Sequence, residues 1–87
     1  MSKGNTAVFT VKQIYSKEQP ILFVHHNTDG TWHFFTGDKI KAADAMMVAL
    51  FEITTIDKTI ANILDLPKGW QASRRSIKEE WLRVQVG

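Results

Sequence analysis

Three histidines are the first residues of this chain whose type and spacing could do chemistry. His25 and His26 close one apolar run, Ile21 to His26, and His33 lies inside a second, Thr31 to Thr36. If Asp29 and Gly30 form a two-residue loop between the runs, His26 stands across from His33, close enough for both to hold one divalent metal, while His25 points to the other face. Two ligands do not make a site. Asp29 and Asp38 fall at or beyond the strand ends and no third ligand is placed, so these read as ordinary surface or half-buried histidines. The chain has no cysteine, which removes disulfides, thiolate metal sites and a cysteine nucleophile. Ser16, Ser73 and Ser76 stand neither in a G-x-S-x-G context nor near a histidine in sequence. There is no P-loop, G-x-G-x-x-G or H-E-x-x-H. Glu79 and Glu80 would point to different faces of a helix and read as solvated charges. The sequence therefore assigns no catalytic residue, metal or cofactor, and reads as that of a non-enzymatic protein.

Recognition chemistry is better represented. Trp32, Trp70 and Trp81 each offer a large apolar area and one donor; Trp32 and Trp70 read as core anchors, and Trp81, near three arginines, as a contact residue. One local excess of positive charge, Lys68, Arg74, Arg75 and Lys78, has no acid between its members and is closed by Glu79 and Glu80. It reads first as a solvated surface and second as a weak anion or nucleic-acid site with a tryptophan as stacking platform.

The elements that must position these residues belong to a single domain. The 87 residues are 44% hydrophobic and 23% charged with a net charge of +2, the balance of an ordinary globular chain of one core. Residues 1–6 are expected to be a flexible N-terminus. Neither a secretory signal nor a membrane-length apolar run is present, so the expectation is a cytoplasmic protein.

The first half reads as strands: Ala7 to Tyr15, Ile21 to His26 and Thr31 to Thr36, the last two a hairpin turning at Asp29-Gly30. With the two-residue loop, one face of the hairpin carries Ile21, Phe23, His25, Trp32 and Phe34, and the other Leu22, Val24, His26, His33 and Phe35. The first, bulkier set is expected to face the helices. The second is too apolar for free solvent, so the C-terminal segment, the curl of the first strand or another molecule must cover part of it. A four-residue loop, Asn27 to Gly30, would combine the faces differently.

The second half reads as mostly helical. Ala42 to Ile53 has a wide apolar stripe, although period two at residues 46–50 leaves a buried strand open. Asp57 reads as the cap of a short helix from Lys58 to Leu64, stopped by Leu66-Pro67. Trp70 to Arg75 alternates as an additional strand would, and Ser76 to Val84 is a short terminal helix or an extended segment. The fold expected is α+β, an antiparallel sheet of three to four strands with two short helices packed on one face.

The motifs D-G-x-W-x-F (Asp29, Gly30, Trp32, Phe34), G-D (Gly37, Asp38), D-x-x-I (Asp57, Ile60) and L-P-x-G-W (Leu66, Pro67, Gly69, Trp70), with Arg74 beyond them, lie within a stretch from Ile21 to Trp81 that is about two thirds of the chain. In this they resemble the immunity protein 33-like family of small bacterial domains. Where the family pattern has proline after the helix-start Asp and an acidic loop after G-D, this chain has Lys58 and the basic pair Lys39 and Lys41. The resemblance implies a small cytoplasmic α+β protein that binds a protein partner, as an immunity protein binds its toxin. The expected contact residues are Leu22, Val24, His26, His33, Phe35 and Trp81, toward an unidentified protein or a second copy in a homodimer. The anion-binding alternative uses Lys68, Arg74, Arg75 and Lys78.

Overall fold

The computed structural model describes residues 6–87; the expected flexible segment lies, but for Thr6, outside the described residues. Six strands form one sheet: β1 Ala7–Val11, β2 Phe23–His26, β3 Trp32–Phe35, β4 Ala45–Ala49, β5 Trp70–Ser73 and β6 Leu82–Gln85, in the order β4-β1-β3-β2-β5-β6. All neighbours are antiparallel except β1 and β3, which run parallel with Phe9 beside His33. Two short α-helices, α1 Lys12–Tyr15 and α2 Leu50–Ile56, and two 3₁₀ helices, Ala42–Asp44 and Lys58–Ile63, complete the described part of the domain.

The expected sheet of three to four antiparallel strands is therefore wrong in strand number and direction. The count rises because β4 and β6 both join the sheet, and the direction is mixed because β1 pairs in parallel with β3. Ala45–Ala49 consists of good helix formers, yet it pairs along its whole length with β1, from Ala45 opposite Val11 to Ala49 opposite Ala7; tertiary pairing overrides helix propensity here. The helix expected from Ala42 to Ile53 starts only at Leu50, where the Glu52 carboxylate accepts the Ala49 N–H at 2.9 Å. The strand expected from Ala7 to Tyr15 ends at Val11, and Lys12–Tyr15 wind into α1 so that Ile14 is buried. Trp70 to Arg75 does supply a strand, and the closing segment is extended.

The hairpin loop is neither of the two expected lengths. Gly30 takes φ +94° while Asp29 does not enter the positive region, because its carboxylate accepts the Thr31 N–H at 2.8 Å. Gly30 N–H donates to the Asn27 carbonyl and Asn27 N–H to the Thr31 carbonyl, the pattern of a three-residue loop in which glycine alone is left-handed. His25 consequently pairs with His33, His26 with Trp32, Val24 with Phe34 and Phe23 with Phe35. This one-residue shift reverses β2 relative to β3, so Val24, His26, Trp32 and Phe34 share one face, and Phe23, His25, His33 and Phe35 the other.

The first of these faces is covered. Val8, Val24, Phe34 and Ala72 from the sheet are fully buried against Ile14, Ile53, Ile60 and Ile63 from the helices, with Ile21 and Leu66 completing the core. Thr10, also fully buried, keeps its hydroxyl satisfied by donating to the Phe34 carbonyl at 2.8 Å, as a polar group in such a core must be. At the far end, Gly69 holds φ +84°; its N–H donates to the His26 carbonyl at 2.7 Å and its carbonyl accepts from Val86 and Gly87. Alanine at this position forces a Cβ into the left-handed region and against the Gly87 backbone at 3.4 Å. Gly69→Ala is expected to lower unfolding free energy by about 1–2 kcal/mol, read as a shift of the urea midpoint.

Candidate functional site

Alternation that points Val8, Val24 and Phe34 into the core points Phe9, Phe23, His25, His33 and Phe35 away from it. The registers place Met47 beside Phe9, His33 beside His25, Gln71 beside His25 and Val84 beside Gln71, all on this second side of the sheet. No helix among the described residues lies over it. Met47 is 58% exposed, Phe9 36% and Leu82 67%, while Phe23, His25, His33 and Phe35 are half-buried by their neighbours within the sheet.

The rings form a continuous track. Phe9 and His33 have centroids 5.3 Å apart, His33 and Phe35 5.7 Å, and His33 and His25 5.7 Å, each pair close to parallel. Burial pushes the His33 imidazole below its ordinary pKa, His25 across the strand pair adds to this, and Asp29 in the turn opposes it. None of the strand residues on this face is Lys, Arg, Asp or Glu. The loop after β3 closes one end, where Phe35 and Ile40 line a cleft together with Asp38, Lys39, Lys41 and Asp44.

Of the contact residues expected from the sequence, the structure brings only His33 and Phe35 onto this open face. Val24 is fully buried in the core. Leu22 is half-buried and donates its N–H to the Phe35 carbonyl. His26 is on the covered side, stacked on Trp32 at 3.8 Å and with Nδ1 2.7 Å from the Leu66 carbonyl, so Nδ1 carries the proton and donates. That bond ties β2 to the turn before β5, and His26 cannot join His33 around a metal. The histidine opposite His33 is His25, and no group of three His, Asp or Glu able to hold a metal occurs among the described residues. Trp81 packs against the core on the helical side, with the Arg74 guanidinium 4.1 Å from its ring centroid. Phe9, Phe23, His25 and Met47 were missed. Strict alternation within each strand already grouped Phe23 with His25; the loop length alone assigned that pair to the wrong side.

The cationic cluster does not assemble as one surface. Arg74 is buried, its side chain 1% exposed, and bonded to Asp57 at 2.7 Å, to the Ile21 carbonyl from Nε and Nη2, and to the Thr59 hydroxyl. Asp57 in turn accepts from the Thr59 N–H and hydroxyl. Burial works to raise the Asp57 carboxyl, but the Thr59 donors and Arg74 outweigh it and hold it below the usual carboxylate range. Arg74 thus locks the end of β5 to the start of β2 and of the 3₁₀ helix. Arg75 pairs with Glu79 at 3.2 Å. Lys68 lies at the other end of β5, its side chain against Gly30, about 20 Å along the chain direction from Arg74. Lys78 and the edge of Arg74 border a depression lined also by Trp81, Arg83, Glu79 and Glu80, of mixed charge. No helix of the described residues is long and apolar enough to cross a membrane. No protein-family model, curated protein or solved structure matches the chain.

Proposed function

We propose that this is a non-enzymatic cytoplasmic protein that works by binding another protein, and that the open sheet face is its docking surface. The observation that carries the reading is the uncovered row Met47, Phe9, His33, Phe35 and Phe23, a contiguous apolar and aromatic surface with no formal charge. Soluble monomers rarely leave a patch of this kind larger than a few hundred Å² without a partner. Aromatic and methionine side chains are those enriched where proteins meet. The resemblance to immunity proteins, which act by occupying another protein rather than by catalysis, fits the same reading. A nucleic-acid interface is disfavoured because affinity for a phosphate backbone rests on lysine and arginine, and the strands of this face offer neither.

A photo-reactive benzoylphenylalanine at position 47 tests it in cells, with the same group at Phe51, 54% exposed on the helical side, as control. Position 47 is expected to give a discrete protein adduct that position 51 does not. Equal labelling at the two positions, or none at 47, overturns the reading.

A further inference from the structure

The two outer strands of the sheet, β4 and β6, differ in what their free edges offer. In an antiparallel pair alternate residues turn N–H and C=O toward the neighbour, and the residues between them turn theirs away. The Leu50 N–H donates to the Thr6 carbonyl, which sets Val48 and Met46 toward β1 as well and leaves Ala45, Met47 and Ala49 facing outward. Of these outward donors, Ala45 N–H is taken by the Ala42 carbonyl and Ala49 N–H by the Glu52 carboxylate at 2.9 Å. The 3₁₀ turn before β4 and the helix after it thus close that edge, as native sheets blunt a strand that could template another.

β6 has no such closure. The Val86 N–H donates to the Gly69 carbonyl at 2.8 Å, so by the register Val84 and Leu82 also turn inward, toward Gln71 and Ser73. Arg83 and Gln85 therefore present N–H and C=O to the outside, and nothing among the described residues bonds to them. No proline, lysine or bulge interrupts Leu82–Gln85. Its one charge does not guard the edge, because Asp65 at 2.8 Å and the Asn62 carbonyl at 3.1 Å draw the Arg83 guanidinium to the helical side. Leu82, Val84 and Val86 line the opposite side, all exposed.

The spacing of these groups defines what completes them: donors and acceptors at alternate residues of an extended main chain are matched by another extended main chain. We propose that the outer edge of β6 takes up an extended segment of another protein as an added antiparallel strand, bonded at Arg83 and Gln85, with apolar side chains beside Leu82, Val84 and Val86. The antiparallel direction is the more stable per residue. The intervening side chains of the segment stand on the helical side, so polar residues suit them. A second copy's β6 is confined by its own body to the length from Leu82 to Val86. A free segment continues past Trp81 along the depression beside Lys78 and Arg83, which gives it the larger contact. This contact leaves the aromatic row of the open face uncovered and is independent of the docking role argued above.

Amide exchange of the isotope-labelled chain, followed by NMR, is the test. The probe is a short capped peptide of alternating valine and glutamate, whose charges keep its own copies apart. Two further forms are methylated on the backbone nitrogen of every glutamate or of every valine. In the free chain the Arg83 and Gln85 amides are expected to exchange as open groups and those of Val84 and Val86 slowly. Saturating parent peptide is expected to slow Arg83 and Gln85 about tenfold or more. With valines beside Leu82, Val84 and Val86, the glutamate N–H groups face β6. Their methylation is expected to weaken binding about tenfold or more, and methylation at valine to leave it within about twofold. Gln85→Pro removes an outward donor and no inward one; it is expected to weaken the parent peptide about tenfold with the circular dichroism spectrum unchanged. Unaltered exchange at Arg83 and Gln85 under peptide, or equal binding of the two methylated forms, overturns the site. Protection of these amides that grows with protein concentration alone makes a second copy the occupant and overturns the foreign segment.

Discussion

Replacing Arg74 with Met is expected to lower the unfolding free energy by about 3–5 kcal/mol, the range seen when one partner of a buried ion pair is removed. The side chain is 1% exposed and makes four hydrogen bonds, two of them to the Ile21 carbonyl. Methionine fills much of the volume but leaves the Asp57 carboxylate without its cation and the Ile21 carbonyl without its donors. For a domain whose total stability is of order 5–15 kcal/mol, the variant stands near the edge of folding. Lysine is not a substitute, because a single ammonium cannot span Asp57, Thr59 and Ile21 from one plane. Urea unfolding followed by circular dichroism reads the loss as a shift of the midpoint. The same pair sets an acid limit. The folded-state pKa of Asp57 lies below its unfolded value, so its contribution is fully present above the ordinary carboxylate range, about pH 4, and is lost as pH falls through the lowered value. Urea unfolding of Asp57→Asn at neutral and acid pH is expected to show a lower plateau and a shallower acid limb than the parent chain.

Val24→Asp and Phe23→Asp, neighbours in one strand, are expected to behave oppositely. Val24 is fully buried beneath the helices, and an unpaired carboxylate there costs about 3–5 kcal/mol or forces the region open. Phe23 lies on the open face, half-buried and paired with Phe35, so the aspartate there reaches water and costs about 1–2 kcal/mol. Thermal unfolding followed by circular dichroism separates the two. The reverse ranking would mean that the hairpin closes with a two-residue loop and that the two faces of β2 are exchanged.

That contrast also marks where sequence reasoning reached its limit. The hairpin strands, the Asp57 cap, the strand at Trp70 and the break at Leu66-Pro67 were legible because each depends on local chemistry: alternation, a side-chain acceptor, a proline. The open sheet face was half legible. His33 and Phe35 lie on it, but Val24 and His26 were grouped with them where Phe23 and His25 belong. The difference is one residue of loop, decided by whether Asp29 takes a left-handed conformation or keeps its carboxylate on the Thr31 N–H. β4 was illegible for another reason: Ala-Met-Met-Val-Ala is apolar in both periods, and only its partner β1 chooses between them. Arg74 looked like a surface charge because its three acceptors come from positions 17, 15 and 53 residues away.

The insertion of β1 between β3 and β4 governs the order in which the molecule can be assembled. β1 precedes both of its neighbours in the chain and has neither until residues 32–49 follow it. The hairpin of β2 and β3 closes locally, whereas β1 pairs with β3 and β4 only across long stretches of intervening chain. Such late, long-distance closure slows folding and leaves Val8 and Phe9 uncovered during synthesis, a window in which chaperone binding would be concentrated at that end of the nascent chain.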